Sequence, residues 1–198
     1  MSLFLIVALP FLGALLPGLM NSAGRQACAG VTFMVTLVAL VGLLTHLPAV
    51  LAGELVTARV DWIPQLGLNL TLMLDSLGFF FACLILGIGL LIIAYARSYL
   101  SRDDHMGEFF TYLLLFQGAM VGIVLSDNVL ILLIFWELTS LSSFLLIGYW
   151  KHLPEGRQGA RMALTVTGMG GLAMIGGMLL LGQIVGSYDL SVILDNRE

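Results

Sequence analysis

The chain of 198 residues is 60% hydrophobic and 10% charged, with mean hydropathy +1.05, whereas soluble domains run near 45–50% apolar and about 25% charged. Too little polar surface exists to cover a compact particle in water, so the apolar excess has to face lipid, and disorder is excluded for the same reason. Eight Lys and Arg against twelve Asp and Glu leave a net charge of -4 with no basic stripe, which excludes nucleic acid as a partner.

A spanning helix needs roughly 20 mostly apolar residues. Six runs qualify: 3–20, 27–47, 76–96, 108–125, 128–150 and 161–183. The first lacks a basic leader and carries Pro10 and Pro17, which kink or end a helix, so it reads as a span and not a signal peptide. Cys28 and Cys83 lie inside apolar runs and read as small buried hydrophobes, not as a disulfide, metal clip or nucleophile. The one long connection is 48–75. Within it Leu68, Leu70, Leu72 and Leu74 alternate with Asn69, Thr71 and Met73, a period of two that predicts a β-strand. Residues 56–63 offer a partner strand and 64–67 a turn, giving a hairpin that caps the helices on the outward side. Asp75 is an N-cap or first-turn acid for the third span.

The connection at 126–128 is so short that the fourth and fifth spans must be antiparallel neighbours, with Asp127 or Asn128 capping the fifth. Gly118 and Gly122 make one GxxxG spacing in the fourth span. Gly168, Gly170, Gly171, Gly176 and Gly177, with Thr165 and Thr167, crowd the sixth. Small residues let helices approach closely, so tight packing is the reading for all of these. No phosphate loop, Cys/His metal spacing, nucleophile elbow or dinucleotide fingerprint occurs, and no cofactor or catalytic residue is expected.

The cations sort by side. Arg25, Arg97, Arg102, Lys151, Arg157 and Arg161 lie in or beside the first, third and fifth connections, while only Arg59 and Arg197 lie opposite. Positive charge gathers on the cytoplasmic side, so the N-terminus, the 48–75 loop and the tail from 184 onward face outward. The expected architecture is an all-α integral membrane protein of the cell inner membrane, with about six transmembrane helices and an outward β-hairpin between the second and third. His46 sits at the outer end of the second span. His105 and His152 lie in cytoplasmic connections and read as solvated, with feeding of protons toward the membrane as the weaker alternative.

Ionisable residues inside a span are functional candidates by default. Eleven of the twelve acids lie in connections, the tail or span ends. The exception is Glu137, near the middle of the fifth run. A lone carboxylate there costs about 2.5–3.5 kcal/mol, relieved by protonation or by a nearby cation. A group balanced between those states can take up and release a proton, as a relay must. The competing reading is a permanently neutral carboxyl bonded to a neighbouring helix. Thr139 and Ser140 follow Glu137 and can orient a carboxyl or hold water; Ser140 lies three residues on, on the same side. Ser142 and Ser143 read as packing residues. Gln117 on the fourth span either reaches Glu137 or, the favoured reading, bonds another helix for about 0.6 kcal/mol.

The run Ser126-Asp127-Asn128-Val129-Leu130, followed by Phe135-Trp136-Glu137-Leu138-Thr139-Ser140-Leu141-Ser142-Ser143, resembles the A-type member of the Mrp-type multisubunit sodium/proton antiporters. It is similar, more distantly, to the antiporter-like subunits of proton-pumping NADH–quinone oxidoreductase. Leu74-Asp75-Ser76-Leu77-Gly78 and Gly107-Glu108-Phe109-Phe110 fit the same pattern. The resemblance implies that Glu137 is a proton relay paired with a lysine on a later, broken helix. This chain has no counterpart for that lysine, since Lys151 and Arg157 lie in a connection. The chain therefore reads as the N-terminal part of a larger subunit, with 184–198 leading onward. The implied partners are the lipid bilayer and other antiporter subunits, and the implied cargo is protons and sodium ions. Two alternatives stay open: a structural assembly role with an inert Glu137, and a proton-channel role in a redox-driven respiratory complex.

Overall fold

The computed structural model describes residues 1–20, 24–63, 65, 67–101 and 104–196. Arg102 and Arg197 of the charge count, and Pro64 and Leu66 of the expected turn, lie outside the described residues.

The first run is two helices, α1 (Leu3–Gly13) and α2 (Leu15–Leu19), not one. Proline offers no N–H, and its ring pushes away the carbonyl four residues back. Pro17 does this to Gly13, the last residue of α1. Then come α3 (Arg25–Leu44), a short α4 (Leu47–Leu51), and strands β1 (Val56–Ile63) and β2 (Leu68–Leu74). The strands pair antiparallel from Val56↔Leu74 to Val60↔Leu70, with an irregularity before Ile63↔Leu68. The hairpin thus forms where the alternation predicts it.

The remaining helices are α5 (Ser76–Tyr99), α6 (Met106–Leu125), α7 (Val129–Ile147), α8 (Pro154–Val185) and α9 (Leu190–Asp195). Asp75 caps α5 by accepting from the Gly78 N–H at 2.7 Å. Asn128, and not Asp127, caps α7, accepting from Leu130 N at 3.1 Å and Ile131 N at 3.3 Å. The sixth span is longer than expected. It starts at Pro154, a residue suited to a first turn, and runs 32 residues to Gly186, which ends it at φ 78°. Five helices (α3, α5, α6, α7 and α8) are long and apolar enough to cross a membrane, and α1 with α2 adds a shorter apolar piece.

At the centre lies α6, which touches α1, α2, α3, α5 and α7. Its GxxxG pair acts inside this chain. Gly118 receives the ring of Phe11 from α1, and Gly122 receives Phe135 from α7, 2.5 Å from where a Cβ would stand. The two rings stack with centroids 6.2 Å apart. Leu72 and Leu74 of the hairpin pack into the core formed by α1, α3, α5 and α6. By contrast α8 lies against α7 at the edge of the bundle. Its buried residues are Ala160, Gly171 and Gly182, spaced by three turns along one stripe. Gly168, Gly170, Gly176 and Gly177 meet nothing among the described residues, so the packing expected of them does not occur within this part of the chain.

Candidate functional site

Phe135 fixes the rotation of α7, because its ring is locked into the Gly122 notch of α6. Each residue turns the helix by about 100°. Glu137, two residues on, therefore points roughly opposite to Phe135, away from α6. It lies in the α7–α8 seam, over the bare backbone of Gly171. A Cβ on Gly171 would stand 3.0 Å from the carboxyl carbon of Glu137 and closer still to Oε1. Oε1 is buried and has no hydrogen-bond partner among the described residues. Leaving a buried polar group unpaired costs about 1–3 kcal/mol, so this carboxyl oxygen is an acceptor with unused capacity.

The neighbouring hydroxyls do not reach it. Thr139 donates to the Trp136 carbonyl at 2.6 Å and Ser140 to the same carbonyl at 3.4 Å. Ser142 donates to the Leu138 carbonyl at 2.7 Å, and Ser143 to that of Thr139 at 2.6 Å. All four protons thus go to the helix's own backbone, leaving the oxygens only as acceptors. Thr139 and Ser140 contribute no hydrogen bond to Glu137. Nor does Gln117, which faces the other way. Thr36 of α3 donates to its Oε1 at 3.1 Å, while Nε2 lies against Gly89 of α5 without a partner among the described residues. The favoured reading of Gln117, a bond to another helix, is what the fold contains. Thr36, Gly89 and Gly171 carry no sequence signal that would have singled them out.

Two polar clusters close the ends of the bundle. At the hairpin end Asp127 ties down α9, accepting from the Ser191 N–H and hydroxyl, both at 2.9 Å. Asn128 donates to the Gly67 carbonyl at 2.9 Å and to Asp189 at 3.0 Å. Asp189 also pairs with Arg59 at 3.3 Å. Tyr188 wedges between Gly67, which sits at φ 67°, and Gly182 of α8. At the opposite end the Lys151 ammonium meets Glu108 at 2.7 Å, and that bond holds Lys151 above its ordinary pKa. Trp150 Nε1 donates to Asp104 at 3.1 Å. Burial opposes ionisation of Asp104, but bonds from Ser101 and Trp150 outweigh it and hold the carboxyl below its usual range. A cavity of about 840 Å³ there is lined by these groups with His105, His152 and Tyr149. Burial, reinforced by the carboxylates of Asp104 and Glu108, pushes the Tyr149 phenol up to about 12. Arg25 joins this end by donating to the Ser101 and Leu100 carbonyls. Cys28 and Cys83 are free thiols. Among the described residues no three His, Cys, Asp or Glu gather as metal ligands.

Comparison with known proteins follows the same outline. A family model described as NADH-ubiquinone oxidoreductase (complex I), chain 5 N-terminus, matches residues 62–110, and one described as NADH:quinone oxidoreductase/Mrp antiporter, TM, matches residues 126–197. The chain is 45% identical over 198 residues to the probable A/B subunit of a K(+)/H(+) antiporter of Rhizobium meliloti, covering all of this chain (100%) and 20% of that protein. It is 40% identical over 197 residues to the A1 subunit of a Na(+)/H(+) antiporter of Staphylococcus aureus, covering 99% of this chain and 25% of the relative. It therefore spans about a fifth to a quarter of the length of these curated relatives. Among solved structures, a chain of the Mrp complex from Dietzia sp. DQ12-45-1b superposes with a TM-score of 0.81 at 34% identity, covering 98% of this chain and 21% of that one. A chain of the membrane-bound sulfane sulfur reductase, an archaeal respiratory membrane complex, shares the fold with a TM-score of 0.80 at 19% identity, over 94% of this chain and 28% of that one.

Proposed function

The chain belongs to the NADH:quinone oxidoreductase/Mrp antiporter family of membrane subunits, and from that premise we propose that it is the N-terminal part of a proton-translocating subunit of a multisubunit cation/proton antiporter. Glu137 is its proton relay. The observation that carries this reading is a carboxyl in the middle of α7 with one oxygen buried and without a hydrogen-bond partner among the described residues. Such a group is relieved by a proton on the carboxyl or by a cation beside it. A cation supplied by a later segment would hold the anion, and its withdrawal would favour protonation. Alternation between those two states loads and unloads one proton. Ser140 and Thr139 serve as acceptors along α7, and Gln117 has no part in the path.

The hairpin end faces outward in this reading. Arg25, Arg97, Lys151, Arg157 and Arg161 belong to the cytoplasmic end, as the bias of positive charge requires. Partners are the other subunits of the complex and the bilayer of the inner membrane. Relatives are named for both sodium and potassium exchange, so the cation exchanged in this reading is an alkali metal ion.

The test is Glu137→Gln in the complete complex, assayed in inverted membrane vesicles by the collapse of a preformed proton gradient on adding sodium or potassium. Exchange should fall at least tenfold while assembly stays intact, because the amide keeps the shape and loses the titratable proton. Unchanged exchange would overturn the relay and favour an assembly role for these helices.

A further inference from the structure

We infer that Gly171 is the positioning residue for Glu137: its missing side chain is the seat that holds the carboxyl in the α7–α8 seam. The inference rests on the relay reading and adds a second residue to it. Of the five closely spaced glycines in α8, four stand in open space among the described residues. Gly171 alone of them is buried. Its Cα faces Glu137, and a methyl group there would collide with both Oε1 and Cδ. The clash falls on the far end of a flexible side chain, so the carboxyl is what moves. The carboxyl itself is the obstacle, and α7 is held in rotation by Phe135 in the Gly122 notch. Adding a Cβ at 171 therefore swings the carboxyl out of the seam. It changes the surroundings of the proton-carrying oxygen without removing the acid. Gly170, one residue away with nothing near it, is the matched control, since alanine raises helix propensity equally at either position.

The experiment uses the complete antiporter complex in vesicles and compares G171A, G170A, E137Q and E137D/G171A. We expect G170A to exchange at the wild-type rate. We expect G171A to lose at least tenfold, with a shifted pH profile and a displaced infrared carbonyl band of the protonated Glu137. Aspartate is one methylene shorter and withdraws the carboxyl from the new Cβ, so E137D/G171A should recover part of the loss. If G171A matches G170A in rate and pH profile while E137Q is inactive, the positioning role is overturned and the relay stands. If E137Q is active, both are overturned. Should G171A fail to assemble, E137A/G171A, which has no carboxyl to collide with, assembles if the contact is the cause. Failure of that double variant as well overturns the inference.

Discussion

Replacing Asn128 by alanine separates the two jobs of one buried side chain at the hairpin end. Asn128 is 0% exposed. Its Oδ1 caps α7 through Leu130 and Ile131, and its Nδ2 bonds the Gly67 carbonyl and Asp189. Loss of the cap costs about 1 kcal/mol. Loss of the donor arm removes one ordinary bond, about 1 kcal/mol, and one to a charged group, about 1.5–3 kcal/mol. Arg59 stays within 3.3 Å of Asp189 and limits the stranded charge, which favours the lower end. The expected loss for N128A is thus about 3–4 kcal/mol. N128S keeps a cap and loses the arm, for about 2–3 kcal/mol. N128D keeps the capping acceptor but replaces the donor arm with a carboxylate oxygen facing Asp189 and the Gly67 carbonyl, so it should be the least stable near neutral pH and recover on acidification. The assay is thermal melting of the detergent-purified complex, followed by tryptophan fluorescence with assembly checked separately. Equal midpoints for N128A and wild type would refute the view that this residue joins α7, the hairpin and the segment before α9.

Two further outcomes test the rest of the site. Gln117→Leu removes the Thr36 bond, worth about 1 kcal/mol, but also removes a buried donor that has no partner among the described residues, worth about 1–3 kcal/mol. It should leave exchange unchanged and stability the same or slightly higher, and a loss of exchange would place Gln117 back on the path. Tyr149 keeps its proton to about pH 12 when folded, whereas an unfolded tyrosine loses it near pH 10. The folded state therefore binds the extra proton between those values, so stability is undiminished below pH 10 and falls as pH rises through about 12. Tyrosinate absorbance should be the same in wild type and Tyr149→Phe at pH 11 and should differ by one tyrosine above 12. A difference already present at pH 10 would contradict the burial argument.

The features legible in the sequence are those set by neighbours along the chain. Alternation at Leu68–Leu74 predicts β2 because successive strand residues face opposite sides. The cap at 128 follows from a short polar side chain beside free N–H groups, and Glu137 stands out because no other acid lies so deep in a span. The break between α1 and α2 is forced by Pro17, though the two prolines do not announce where the helix resumes. What required the tertiary structure is which way each helix turns. In lipid both faces of a span are apolar, so no amphipathic stripe distinguishes the inner face from the outer one. Rotation is decided by shape, ring into glycine notch, between Phe135 and Gly122 and between Phe11 and Gly118. That docking sends Glu137 to Gly171 while Gln117 bonds Thr36. Local pattern cannot encode a fit between residues that meet only when distant helices pack, and this is why one glycine of the eight in α8 takes the carboxyl.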